Sequence, residues 1–338
     1  MRARPEASRR RALQAGLGAA AGLAASIPLA RPARALLPTT ATLLVPGPED
    51  GPLARLAGRL AGSLGRGATT ALRLDLTVLG GPDGVTAANR FVTDAAPDGR
   101  SLLLLPGIAA LSRMVGDPRA RFDPAGWVPV CALQGGAMVV GRDAMPPPGS
   151  APRFGLGGPD MPGAAGLLAL DLLGLAASPV LGLPSPKAEA ALAQGIAEAA
   201  LLHGPDLPAR LTAAGARPWF ALDGVAGRDA MLPEVPALHD LPLGGPAELR
   251  GALTTATACL RLLAAVVLPP LTPADTVATW RVAAQRWLEE EARTGWAPGL
   301  RPLSGMEAGP LVAALAPAPA TVLAYREWLL RRLNWRAD

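Results

Sequence analysis

Three short apolar runs, each cut off by a glycine- and proline-bearing turn, constrain this chain more than any other feature. Residues 42–45 stop at Pro46-Gly47-Pro48, residues 72–79 at Gly80-Gly81-Pro82, and residues 102–105 at Pro106-Gly107. The first two turns lead into helical patterns. Residues 52–64 set Leu53, Leu56, Leu60 and Leu64 on one stripe, and residues 85–96 follow the second turn. Strand, turn, helix, strand is the pattern of a parallel sheet with covered faces. Such a turn leaves the first N–H groups of its helix unpaired at the carboxyl edge of the sheet. That edge is where open α/β sheets hold ligands, and a helix N-terminus favours anions.

The same grammar returns further on. Arg153-Phe154-Gly155-Leu156-Gly157-Gly158 opens it, a helix is expected over 163–175, and strands over 180–183 and 199–202. The second strand ends in His203-Gly204-Pro205-Asp206. The stiff run Pro146-Pro147-Pro148-Gly149-Ser150 reads as the start of a second lobe. We therefore expect residues 36–147 and a return segment near 223–338 in the first lobe, and 148–222 in the second. The hinge is expected at 146–153, with a return crossing after Leu222. Residues 251–267 read as strand-rich. Thr272-Pro273-Ala274-Asp275 starts a long helix reaching Glu291, whose Glu289-Glu290-Glu291 run reads as a solvated face. Residues 319–334 form a terminal amphipathic helix.

The residues that common enzymes need are scarce. The chain of 338 residues has two histidines, His203 and His239, so a histidine metal site or a Ser–His–Asp arrangement would rest on one of them. No glycine-rich run ends in Gly-Lys-Ser/Thr, and the glycines from Gly155 to Gly158 are weak evidence for a dinucleotide turn. No enzyme activity, cofactor or metal is expected. Cys131 and Cys259, the two cysteines, sit in apolar runs that suit buried free thiols, although an exported chain also permits a disulfide.

The wording of the opening third resembles a family: the tripartite tricarboxylate transporter substrate-binding proteins, or Bug-type receptors. The resemblance rests on Val45-Pro46, Ala54-Arg55, Gly81 and Gly84. It also rests on Ala96-Pro97-Asp98-Gly99-Arg100-Ser101-Leu102-Leu103, and on Arg121-Phe122-Asp123-Pro124 with Trp127-Val128-Pro129-Val130. Further along, Arg228 with Leu232-Pro233-Glu234-Val235-Pro236 fits the pattern. The resemblance implies an α/β, two-lobe periplasmic binding protein-like fold of type II, each lobe a mostly parallel sheet flanked by helices. It also implies capture of a small organic carboxylate for membrane permease subunits by a monomer without nucleic acid. The alternative is a periplasmic regulatory or interaction protein on the same fold.

The site residues implied are those of the matching turns: Gly47, Pro48 and Glu49; Gly81, Gly84, Val85 and Thr86; Gly107; and, in the second lobe, Gly157, Gly158 and His203. Each turn equally well only closes βα geometry, and His203 equally well belongs to the core. Glu49 and Asp50 depart from the family. They either meet a cationic part of a zwitterionic ligand or cap the helix that follows and face solvent.

The charge balance points to export. The formal net charge is +5, but seven of the 32 basic residues and one of the 27 acidic ones lie in the first 35 positions. The remainder carries one more acid than base, so no basic surface for nucleic acid is encoded. Arg2, Arg4 and Arg9-Arg10-Arg11 precede an Ala/Gly-rich apolar stretch and Ala33-Arg34-Ala35, the order of a cleaved signal peptide. Ser8-Arg9-Arg10-Arg11-Ala12-Leu13 resembles a twin-arginine export signal. A membrane anchor is the other reading, but Ala and Gly make a poor spanning helix. N-terminal sequencing of the periplasmic protein should begin at or next to Leu36; an intact Met1 there would exclude cleavage.

Overall fold

Alternation in the first run becomes a strand with every second residue inward. In β1 (Thr40–Pro46), Ala41, Leu43 and Val45 are buried. Pro52, whose missing N–H costs nothing at a helix start, begins α1 (Pro52–Gly67), and its stripe buries Leu56, Leu60 and Leu64. There follow β2 (Arg73–Leu79), α2 (Val85–Asp94), β3 (Ser101–Leu105) and α3 (Gly107–Val115). The third turn therefore feeds a helix as the first two do. β3 is buried on both faces, as a central strand must be. The computed structural model describes residues 37–223, 228, 233–294 and 299–336. The leader and most of the 227–232 motif lie outside them.

β4 (Val128–Gln134) is followed, after Gly135 alone, by β5 (Gly136–Gly141). Next come β6 (Arg153–Gly155), α4 (Gly163–Leu172), β7 (Ser178–Val180), α5 (Ser185–Gln194), β8 (Ala199–Gly204), α6 (Leu207–Ala214) and β9 (Arg217–Ala221). The chain closes with α7 (Ala247–Arg261), β10 (Leu262–Leu268), α8 (Ala274–Thr294), β11 (Arg301–Ser304), α9 (Gly305–Ala313) and α10 (Pro319–Leu333).

Two sheets result, in the orders β11-β4-β10-β3-β1-β2 and β7-β6-β8-β5-β9. In the first, β2, β1, β3 and β4 run one way, and β10 and β11 run against them. In the second, β5 alone is reversed. Both sheets are thus mostly parallel, and the reversed central strand of each is the one that has just crossed from the other lobe. This is the expected two-lobe α/β fold.

Strand pairing moves the expected hinge. Val139 and Phe154 belong to one sheet, with β8 between their strands, so the Pro-rich 146–153 segment is an ordinary β5–β6 connection. The first crossing is Gly135, within Gln134-Gly135-Gly136 between two apolar runs, and residues 136–147 go with the second sheet. Pro and Gly marked a turn at 146–153, whereas Gln134-Gly135-Gly136 between two buried strands does not show from sequence that the chain changes sheets.

Residues 251–261 are helical rather than strand-like. An inward stripe of Leu249, Ala252, Leu253, Ala256 and Leu260 pins them to the core, and the Thr254 hydroxyl donates to the Arg250 carbonyl one turn back at 3.1 Å. Cys131 is consequently on a strand and Cys259 on a helix, both buried and free. Of the glutamate run only Glu289 lies on a solvated face. Glu290 accepts from Ser63 and Arg66 of α1 and from Arg286, and these bonds, Arg66 first, lower its carboxyl to about 2. Glu291 is buried and accepts from the Trp287 indole at 3.1 Å.

Arg261 ends α7 where the chain re-enters the first sheet. Its buried guanidinium donates to the carbonyl of Asp223, two residues past β9, and to that of Gly135 at 3.4 Å. The Gly135 amide returns a bond to the Arg261 carbonyl at 2.8 Å. Arg261→Met keeps the packing volume but leaves two buried carbonyls unpaired. It should cost about 2 kcal/mol in urea unfolding; an unchanged midpoint would show that the guanidinium contributes nothing net.

Candidate functional site

The turns at the carboxyl edge of the first sheet face the second lobe across a cavity of about 450 Å³. That lies within the usual range of small-molecule sites. From the first lobe come Pro46, Gly47, Pro48, Gly51, Pro52 and Leu53 of the β1–α1 turn, then Pro82, then Pro106, Gly107 and Ile108 of the β3–α3 turn. Met161, Pro162, Ser185 and His203 face them from the second lobe, and Cys259, Leu260, Leu262 and Leu263 form the wall where α7 meets β10. A narrow recess of about 40 Å³ continues past Met161, Ser185 and His203 towards Gly157.

Four of the expected site residues therefore meet here: Gly47, Pro48, Gly107 and His203. Gly157 lines the recess, and Gly158 lines neither space. Glu49 is exposed and outside the lining, as is Asp50. Gly81, Gly84, Val85 and Thr86 also lie outside it, although their neighbour Pro82 is in the wall.

The second turn shows why. Gly84 takes φ +79°, where a side chain would also sit 2.5 Å from the Pro106 ring, so only glycine fits. The Val85 amide, first in α2, donates to the Asp83 carboxylate at 3.2 Å, and Arg119 lies 3.1 Å from the same side chain. The positive end of α2 is already occupied by the chain's own anion. Gly107 is needed for a different reason. A Cβ there would lie 2.7 Å from the Leu262 carbonyl and closer still to that of Cys259. Glycine lets the start of α3 press against the α7–β10 junction.

Among the described residues, no Arg, Lys, Asp or Glu side chain lines the cavity, and the polar side chains are Ser185 and His203. Behind them, Arg210 pairs with Glu189 at 2.6 Å and donates to the His203 carbonyl at 2.7 Å. Ser185 Oγ donates to the same glutamate at 3.3 Å. The guanidinium is thus matched locally and brings no free charge to the cavity. Among the described residues, no group of three or more His, Cys, Asp or Glu is placed to hold a metal ion, and no helix is long and apolar enough to cross a membrane.

Sequence reasoning missed Ile108, Met161, Pro162, Leu260 and Leu263. The Pro106-Gly107 turn announced the first of these. Met161 and the α7–β10 wall carried no local mark, because tertiary folding alone brings them to the cleft.

The architecture defines a class: a two-lobe α/β protein with crossing strands and a cavity between the carboxyl edges of its sheets. No protein-family model and no curated protein matches the chain by sequence. Among solved structures, it is similar to a TctC solute binding protein from Polaromonas. That match has a TM-score of 0.61 at 16% identity and covers 87% of this chain and 98% of that one. It is also similar to R. palustris Rpa4515, solved with adipate, with a TM-score of 0.51 at 20% identity, covering 87% of this chain and 97% of that one. The fold of this chain is that of the TctC-type solute-binding proteins, the class that the opening motifs resemble.

Burial pushes the His203 imidazole down to about 4 from its ordinary 6.5; Arg210 adds to the shift and Glu189 opposes it. The unfolded chain takes up this proton near 6.5, so between 6.5 and 4 the unfolded state binds more protons and stability falls as pH falls. The full window corresponds to about 3 kcal/mol. Urea unfolding of the wild type at pH 7.5 and 4.5 should show this loss relative to His203→Gln, in which the contribution is absent. Equal slopes in the two proteins would mean that His203 titrates normally.

Proposed function

We propose that this chain is a periplasmic solute-binding protein that captures a small organic carboxylate and delivers it to a permease of the tripartite tricarboxylate type. The observation that carries the reading is the cavity itself. It is sized for a small molecule, lies between two lobes at the strand ends, and sits in a fold shared with solute receptors. Its contacts would come from Gly47, Pro48 and Gly107 in one lobe and from His203 in the other. Gly157 would contact a ligand reaching into the recess. Export by the twin-arginine route would place the receptor, acting as a monomer, beside its permease. No bond of the solute is made or broken.

A regulatory or interaction protein on the same fold is the second reading. The self-capped α2 start favours it, because one of the edge's anion-accepting helix ends is already filled by Asp83. A thermal-shift screen of the exported protein against organic acids, amino acids and neutral solutes separates the two. A ligand at a hundredfold excess over its Kd adds about 2.7 kcal/mol, so a true solute should raise Tm by several degrees. No rise with any solute at millimolar concentration would favour the regulatory reading.

A further inference from the structure

Three helices begin at the cavity edge of the first sheet, and they are not equivalent. α2 is capped by Asp83, which Arg119 holds in place. α1 begins with Pro52, which has no N–H, directly behind the acids Glu49 and Asp50. None of the three has an acid in its first turn, but only α3 opens into the cavity with no acid in the turn that leads into it. Its first two residues, Gly107 and Ile108, both line the space, and their amides have no hydrogen-bond partner among the described residues.

The remaining wall is apolar. Met161 and Pro162 face α3 from the second lobe, and Leu260 and Leu263 close the junction side. Met161 is 40% exposed at this wall, which leaves its flexible thioether side chain accessible from the cavity. At the far side, Ser185 is engaged by Glu189 and Arg210, and the Arg210 charge is matched by Glu189. The His203 ring makes no hydrogen bond among the described residues, and its depressed pKa keeps it neutral at physiological pH. It offers one neutral hydrogen bond and no counter-charge for a second anion.

We infer that the cavity is a monocarboxylate site: one carboxylate sits at the start of α3, and an apolar body, alkyl or phenylalkyl, lies against Met161, Leu260 and Leu263. A dicarboxylate would place its second charge against apolar side chains or towards Glu49 and Asp50. This inference rests on the receptor reading above and narrows its solute from carboxylates in general to one kind.

Isothermal titration with matched acids tests it, using hexanoate against adipate and 3-phenylpropanoate against malate and citrate. Hexanoate should bind at least tenfold more tightly than adipate, and 3-phenylpropanoate more tightly than malate or citrate. Met161→Asp, a change at a partly exposed position, should weaken the monoacids at least tenfold while leaving the unliganded Tm unchanged. Adipate binding as tightly as hexanoate would overturn the monocarboxylate assignment and leave the receptor standing. So would binding confined to amines or sugars, or an unaltered monoacid affinity in Met161→Asp. Binding of no solute in either this series or the wider screen would overturn both.

Discussion

The junction at Arg261 is the constraint on which both lobes depend. The backbone carbonyls of Gly135, between β4 and β5, and of Asp223, just past β9, are buried where neither strand continues. An unpaired buried carbonyl is costly. A guanidinium can reach both because it is planar and multidentate, and Arg261 supplies it from the last turn of α7. The same junction forms the cavity wall, since Leu260, Leu262 and Leu263 flank this arginine. The geometry that closes the backbone account therefore also shapes the ligand space.

A second tie lies outside the cavity lining. α10 touches both lobes: Arg326 donates to the Arg113 and Met114 carbonyls at the end of α3, while Trp328 and Arg332 hold Asp171 of α4. Between them one hydrophobic core runs without interruption from Leu103 and Leu105 through α7 to Phe154 and Leu168. A shared core of this kind joins the lobes more firmly than a linker would. Any closure of the cleft must turn about the short crossings rather than about a flexible hinge.

The electrostatics of the site follow from local neutralisation. Asp83 is paired with Arg119, and Glu189 with Arg210, so these two acids are matched within the protein. Among the described residues, what faces the space is apolar side chains, Ser185, the His203 imidazole and the first amides of α3, so polar contacts are few and apolar contact is extensive.

Apolar periodicity and turn chemistry were enough to determine most of the strands, most of the helices and the βα edge, because both act over a few residues and leave a local mark. The resemblance in the opening motifs reached the fold class for the same reason. Gly47, Pro48, Gly107 and His203 were legible because each ends a strand, and strand ends at this edge point into the cleft. The crossing at Gly135 was not legible, since Gln134-Gly135-Gly136 reads like any glycine turn between two strands and does not tell which sheet the second strand joins. Nor was the helix 251–261, whose threonines suggested a strand until tertiary packing gave its Ala/Leu stripe a partner. Met161, Leu260 and Leu263 became a wall only when two sheets, distant in sequence, were set face to face. Which helix start stays open was likewise a tertiary outcome. It depends on whether Asp83 folds back onto its own helix, and that contact is settled by Arg119, 36 residues further along the chain.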